Sequence, residues 1–472
     1  MKLALYRTFL RDKPYQYSMP PLGLGYLAAY VKPRCWYCEV RFFLDPEEIF
    51  AWKPDIVGIS SATENFCDAM NLAGRLREEI GAKVLIGGAH ITTLPHTLPD
   101  CMDIGIIGEG EETLTELMRL YNDKSPAPSD LRNIKGICFH ENGRVVITEP
   151  RELIADLDTL PMPDREMLGE NWAIPFSAES HLITSRGCPY DCTFCSAPAQ
   201  WKKVRFFSAG YVIREIEHIR KTYNPEEIFF FDDLFIGHQP RFREICRIMK
   251  ERGLHEGVVF RTYARANLID DEMADLLAEM NFRYVDFGFE SNSRPVLEYL
   301  NKQGVSPEIN QRAIDLISAR GLSIGGNFII GSPHETREQM EETLEFIRKN
   351  KTLLDRCSVG PLQAPPGTRV WHYAKSRGLV SDDMDWSRYI VDFDNMDMTR
   401  DPYLCETMPV EEFTALYYEF HRLATEINLR GEIRKMGDKL ERSRSRERAL
   451  RSRLEALTGS RLVRLAMKLK RG

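Results

Sequence analysis

The chain has 472 residues, 43% apolar and 28% charged, the balance of a globular protein with room for roughly two to four domains. Lys and Arg number 63 against 70 Asp and Glu, a net charge of −7, and outside residues 430–472 the balance is 48 against 65, an acidic body that argues against a general nucleic-acid binder. The amino terminus has no small-residue cleavage site and no apolar run approaches about 18 residues, so neither a signal peptide nor a membrane span is expected, and the cytoplasm is the expected compartment.

The first third alternates strand and helix. "MKLALYR" reads as a strand running into a charged loop, and "PPLGLGYLAAYVK" as a helix from Pro20 to Lys32. "PDIVGISS" and "KVLIGGAHIT" are short apolar strands separated by the amphipathic helix "NLAGRLREEIG". "DIGIIGEGEETLTELMRLY" is a strand, a glycine turn and a helix that begins on acidic residues. Short apolar runs between helices predict a parallel sheet buried on both faces, a doubly wound Rossmann-like domain over residues 1–130. Ligands of such sheets sit at the carboxyl ends of the strands, which places Ser60, Ser61, Gly87, Gly88, Gly108 and Gly110 at the rim. A turn-forming role is the competing reading for each glycine. His90 and His96 follow the third of these strands, either touching a ligand or capping the loop.

Residues 131–178 read as a linker with a hairpin, "KGICFHENGRVVITEP", turning at Asn142-Gly143. The strand "HLITSRG" opens a second domain over residues 179–400. Its loop carries Cys188, Cys192 and Cys195 in Cys-x3-Cys-x2-Cys spacing. The next cysteine, Cys246, is 51 residues on, whereas a structural zinc site wants four closed ligands. Three thiolates suit an iron–sulfur cluster with one iron left open, and a zinc knot is the bland alternative. Cys35 and Cys38 in "RCWYC", and Cys357, read as buried and inert rather than as ligands.

The cysteine motif, with Phe194 before its last member, resembles the radical S-adenosylmethionine (SAM) superfamily. "FGFESNSRPVLEYLNKQG", "NFIIGSPHET", "PPLGLGYLAAY", "PDIVGIS", "IGGAHIT" and "IGEGEET" resemble phrases of the members that carry an amino-terminal cobalamin-binding domain. The resemblance implies a partial (β/α)6 barrel of the TIM type, with its site at the carboxyl ends of the strands. It implies a 4Fe–4S cluster held by Cys188, Cys192 and Cys195, and reductive cleavage of SAM to a 5′-deoxyadenosyl radical. It places the main chain at Phe194 against adenine, Asp232 and Asp233 where the methionine ammonium binds, Arg265 on the SAM carboxylate and Glu290 on the ribose. Two carboxylates stand where many relatives have Gly-Gly-Glu, so the position of that contact stays open, and a structural salt bridge competes for each polar residue. The first domain lacks the Asp-x-His-x-x-Gly phrase that supplies a cobalt ligand, which fits both cobalamin held without a protein histidine and a domain that has lost it. If cobalamin binds, its tail is expected against Gly87 and Gly88, where only glycine permits close approach. No catalytic acid or base is assigned.

The tail, 401–472, is expected to be helical, with the barrel closing before residue 430. Residues 430–472 carry 15 Lys or Arg against 5 Asp or Glu, while the other 429 residues hold 48 against 65. Ile433, Met436, Leu440, Leu450, Leu454 and Leu457 follow a 3,4 spacing that Ser443 and Glu447 interrupt, an interrupted coiled coil or a surface helix. "SRLVRLAMKLKRG" reads as a basic amphipathic end suited to an anionic membrane surface or an acidic partner. The expected function is radical SAM C-methylation in secondary-metabolite or cofactor biosynthesis. The alternatives are cobalamin-independent dehydration of a sugar diol, oxidative cyclisation, and a non-catalytic iron–sulfur protein. A small-molecule substrate, an external electron donor of the flavodoxin or ferredoxin kind and a homo-oligomeric state complete the expectations, with no nucleic-acid partner.

Overall fold

Four apolar runs, each buried on both faces, and the edge segment "EVRFF", which is not singled out from the sequence and whose Glu39 and Arg41 face solvent, become five parallel strands. In the computed structural model, which describes residues 1–9, 20–169, 179–386, 389 and 402–459, they are β1 (Lys2–Arg7), β2 (Glu39–Phe43), β3 (Ile56–Ser60), β4 (Lys83–Gly87) and β5 (Ile104–Ile106). They stand in the order β2-β1-β3-β4-β5. Alternate residues feed two cores: Leu3, Leu5, Ile56 and Leu85 on one face, Ala4, Tyr6, Val57, Ile59, Val84 and Ile86 on the other. Helices Leu22–Val31 and Glu111–Asp123 cover the first face and helix Phe66–Ile80 the second. The strand order reverses between β1 and β3, which opens a crevice at their carboxyl ends.

The expected hairpin forms as β6 (Ile137–Glu141) and β7 (Arg144–Ile147), but it is no separate linker. β6 pairs antiparallel with β5 from Ile137 opposite Ile106 to Phe139 opposite Ile104, so the first sheet has seven strands and runs past residue 130. The reason is the β5 edge: a three-residue strand leaves polar backbone groups that the hairpin satisfies.

The second sheet begins with β8 (Glu179–Leu182), followed by the antiparallel patch of β9 (Ser185–Arg186) and β10 (Arg205–Phe206). β11 (Glu227–Phe230), β12 (Val259–Ala264), β13 (Phe282–Glu290), β14 (Ser323–Ile330) and β15 (Leu354–Pro361) follow. Their order is β15-β14-β13-β12-β11-β8, every pair parallel, the open six-stranded barrel expected from the sequence. Side chains alternate: Phe260, Val285, Phe287 and Phe289 pack outward under the helices, while Arg261, Tyr284, Asp286, Gly325 and Arg356 line the lower interior.

The tail begins as one helix, Val410–Gly459, and it is part of the barrel. Phe413, Leu416, Tyr417, Phe420, Leu423, Ala424 and Ile427 are buried against it. Asn428 brackets the edge strand, accepting from Cys357 N–H at 2.8 Å and donating to Cys357 O at 2.9 Å. A Cβ at Gly431 would overlap the Asp355 carbonyl, and Arg434 pairs with Asp355 at 3.0 Å. The boundary at residue 430 is therefore too early: an open barrel leaves β15 an unpaired edge, and this helix covers it. The end "SRLVRLAMKLKRG" and the side chains of Ser443, Leu450, Leu454 and Leu457 lie outside the described residues. No described helix is long and apolar enough to cross a membrane.

Candidate functional site

The cysteine loop leaves β9 at Gly187, whose φ of +95° brings the backbone within 3.0 Å, measured from a would-be Cβ, of the Trp201 side chain. From there the loop is tied to the barrel by its main chain. Thr193 N–H donates to Leu300 O at 3.1 Å, and Val370 N–H donates to Thr193 O at 3.2 Å. Cys188 and Cys195 are partly exposed and Cys192 is buried. Burial pushes the Cys195 thiol up to about 11, and burial likewise raises Cys188. Among the described residues no three His, Cys, Asp or Glu side chains close on one point as a single ion would need. A cluster does not ask for that, since its thiolates bind separate irons.

The surroundings of the loop fit such a group. Arg265 Nη1 lies 3.6 Å from Cys192 Sγ, its Nη2 donates to Gln303 O at 2.7 Å, and its guanidinium stands 3.8 Å from the Tyr190 ring centroid. Arg265 Nε is buried with no described partner. A cation held beside the cysteine sulfurs, with a donor to spare, suits both an anionic cluster and a carboxylate. Phe194 and Glu290 meet through a residue not singled out from the sequence. Lys302 Nζ donates to Glu290 Oε1 at 2.5 Å and stands 6.0 Å from the Phe194 ring. Both side chains are buried, and Glu290 adopts φ +61°, a left-handed conformation uncommon outside glycine. The register shift between Gly288 and Glu290 accompanies that turn, and the carboxylate folds back over Gly288, where a Cβ would collide with Glu290 Oε1. Lys302 lies inside the phrase "FGFESNSRPVLEYLNKQG", but nothing in one sequence pairs residues twelve apart across a strand and a helix.

The two adjacent aspartates part company. Asp232 is 2% exposed, and its Oδ1 accepts from Thr184 N–H and Thr184 Oγ1, each at 2.9 Å, and from Ser185 Oγ. It brackets the turn from β8 to β9, and burial pushes it up to about 6 despite those donors. Asp233 instead lines the cavity between the domains. Burial raises its carboxyl and the Gly187 N–H opposes the rise.

That cavity holds about 360 Å³ and is walled by both domains. Ser60, Gly87, Gly88 and Gly108 come from the first sheet, and Ile183, Arg186, Trp201, Phe231 and Asp233 from the barrel. At Gly87 and Gly108 a Cβ would meet no described atom within 4 Å, so the rim there is open space. Gly88 differs: at φ +102° its Cβ would stand 2.5 Å from Ser61 O. The close approach expected of a ligand at Gly88 is made by the chain's own backbone. A broad flat group lying on the open rim fits Gly87 and Gly108, and no histidine is among the described lining residues.

The two halves are locked by buried charges. Arg186, two residues before the first cysteine, pairs with Glu109 and, at 2.5 Å, with Glu111. Arg205 Nη1 donates to Glu109 Oε2 at 2.8 Å and to Ile154 O at 2.7 Å. Burial pushes Glu109 up, but the Arg205 and Arg186 guanidiniums outweigh it and leave the carboxyl below its usual range. Residue type alone gave no sign of this latch; acidic residues at a helix start read as helix-dipole partners.

The remaining candidates are spent elsewhere. His90 is fully buried, 3.6 Å from Phe66 in a stack, with Nδ1 at 3.3 Å from Thr63 Oγ1 and Nε2 at 3.2 Å from Thr97 Oγ1. His96 Nε2 lies 3.0 Å from Asp382 Oδ2. Cys35, Cys38, Cys246 and Cys357 are buried free thiols.

Comparison with known proteins agrees with this arrangement. The radical SAM superfamily model matches residues 182–347 and the B12-binding domain model residues 13–118. An uncharacterized methyltransferase of Pyrococcus horikoshii is 34% identical over 387 residues, covering 78% of this chain and 81% of its own. The anaerobic magnesium-protoporphyrin IX monomethyl ester cyclase of Rubrivivax gelatinosus is 29% identical over 70% of this chain, which spans 62% of that longer protein. The radical SAM methyltransferase TsrM of Kitasatospora setae, solved with tryptophan and a SAM analogue, shares the fold at a TM-score of 0.69 and 17% identity, over 89% of this chain and 88% of its own. Cysteine loop, open barrel and glycine-rimmed first sheet thus belong together: the chain is a radical SAM enzyme with an amino-terminal B12-binding domain, and 4Fe–4S, SAM and cobalamin are its cofactors.

Proposed function

We propose that the enzyme is a cobalamin-dependent C-methyltransferase acting on an unactivated carbon of a small molecule in secondary-metabolite or cofactor biosynthesis. The observation that carries this reading is the shared cavity, with an open glycine rim on one side and Arg186, Trp201 and Asp233, which flank the cysteine loop, on the other. When bound, the cluster and SAM supply reductive cleavage of a carbon–sulfur bond, and cobalamin supplies a methyl carrier.

Cys188, Cys192 and Cys195 would hold the cluster, and Arg265 would steady its charge and the SAM carboxylate. Asp233 is the carboxylate placed for the methionine ammonium, because Asp232 is occupied by Thr184 and Ser185. Glu290, fixed by Lys302, would take the ribose hydroxyls beside Phe194. Gly87 would lie against cobalamin. Ile183, Phe231 and Trp201 add apolar surface to the space between. The reductant comes from outside the chain, and a flavodoxin- or ferredoxin-like donor fits. The likeness to the Rubrivivax cyclase favours oxidative cyclisation as a second reading, at lower identity than the methyltransferase.

The test is anaerobic reconstitution of the full chain, titration with cobalamin and turnover with methyl-labelled SAM. About one cobalamin should stay with each chain through gel filtration, and the label should enter the product. A product that forms without cobalamin, or without the label, overturns the proposal.

A further inference from the structure

Helix Val410–Gly459 is apolar on two opposite faces. Its inner face, ending at Ile427, packs on the barrel. Two residues on, about 200° around the helix, a second stripe begins at Leu429. Leu429, Ile433, Met436 and Leu440 are 57%, 71%, 67% and 53% exposed. They step by four, three and four residues, the a and d positions of a heptad. Carried along the sequence, the same count reaches Leu450, Leu454 and Leu457 after the polar pair Ser443 and Glu447. Packing against this chain's own core leaves the outer stripe unexplained, and four exposed large apolar residues in line mark a contact surface.

The charges beside the seam decide what covers it. With Leu429 and Met436 at d and Ile433 and Leu440 at a, the flanking e and g positions from 430 to 458 number nine. Six are Arg or Lys (430, 439, 444, 446, 451 and 453), one is Glu432, and Gly437 and Thr458 carry no charge. A parallel second copy would set Lys439 against Arg444 and Arg446 against Arg451, like charges at the positions that choose the partner. A membrane-surface helix needs a broad apolar face, whereas a stripe confined to a and d is the width of a coiled-coil seam.

We propose that the outer half of this helix is the docking site for an acidic amphipathic helix of another protein. That partner carries apolar a and d positions and Glu or Asp at e and g. The two helices pair as a heterotypic coiled coil, and the polar step at Ser443 and Glu447 sets its register.

The test uses the full-length protein and two labelled synthetic helices of equal length, both with Leu at a and d, one with Glu and one with Lys at e and g. Anisotropy at about 0.1 M salt, where charges act over about 10 Å, should show the Glu peptide binding at least tenfold more tightly, with the gap narrowing as salt rises. I433D combined with M436D should weaken Glu-peptide binding about tenfold or more and leave reductive SAM cleavage at the wild-type rate. Equal binding of both peptides, binding of neither, or full binding by the variant overturns the proposal. So does a concentration-dependent dimer in sedimentation that the variant abolishes, which would make a second copy the occupant. Seam-dependent sedimentation with phosphatidylglycerol vesicles, with the Glu peptide unbound, would assign the surface to membrane instead.

Discussion

The two sheets end in rims of opposite make. The rim of the first is built by omission: Gly87 and Gly108 leave space where a side chain would stand. The rim of the barrel is built by placement: Arg265 beside Cys192, Lys302 on Glu290, Asp233 at the wall. Under the proposed function the difference follows from the ligands. A large flat group binds by area and needs backbone to be bare, while a small charged one needs few groups held in fixed geometry. Between them the Arg186–Glu109–Glu111 latch keeps the bare rim at a set distance from the armed one.

The largest effect should come from the armed rim. Cys188→Ala, Cys192→Ala or Cys195→Ala should each abolish the 4Fe–4S absorbance and all 5′-deoxyadenosine formation. Cys246→Ala, in the core of helix Gln239–Glu251, should keep both. Cobalamin retention by the three cysteine variants should stay near wild type, because their loop leaves the glycine rim untouched. A cysteine variant that still cleaved SAM would break the division.

Next comes the latch. Glu109→Ala leaves Arg186 and Arg205 buried without their shared carboxylate, and removing one partner of a buried pair costs about 3–5 kcal/mol. Chemical denaturation should register that loss. Methyl transfer should fall further than SAM cleavage, since only the former needs both rims in register. Equal losses would mean that the latch stabilises the fold without positioning the two halves.

The glycines separate space from strain. Gly88→Ala puts a Cβ against Ser61 O at φ +102° and should cost about 1–3 kcal/mol of stability. Gly87→Leu meets open space, so the protein should fold and cleave SAM normally while losing cobalamin retention, read by visible absorbance after gel filtration. A Gly87→Leu protein that kept its cobalamin would move the corrin off this rim.

How much of this the sequence discloses follows the range of the interaction. Parallel strands, the open barrel and the cysteine loop are written in local periodicity and spacing, so they are legible. Gly87 and Gly88 are also visible, yet their opposite reasons are not, because the Ser61 carbonyl comes from the loop after β3. Asp232 and Asp233 look equivalent until β8 arrives with Thr184 and Ser185. Lys302, Glu109 and Arg186 are ordinary charged residues until the fold brings partners 12 and 77 positions away. The tail reads as separable in the sequence because heptad spacing cannot say which face meets a sheet edge.

The smallest effect concerns His90, two residues after Gly88. Burial, with a smaller contribution from His96, holds His90 down to about 3, against an ordinary value near 6.5. The unfolded chain therefore takes up a proton below about pH 6.5 that the folded chain refuses until far lower. The stability this residue contributes is complete above that pH and is lost as pH falls through it. Moving from pH 6.5 to 5.5 should cost the wild type about 1 kcal/mol more than His90→Gln, which carries no such proton. Urea unfolding followed by tryptophan fluorescence would read it, since Trp386 lies 4.6 Å from the imidazole. A constant difference between the two proteins across that range would mean that His90 titrates freely. An imidazole that takes up a proton in the folded chain would have to loosen its stack on Phe66, and the core behind the first rim would be more open than its burial indicates.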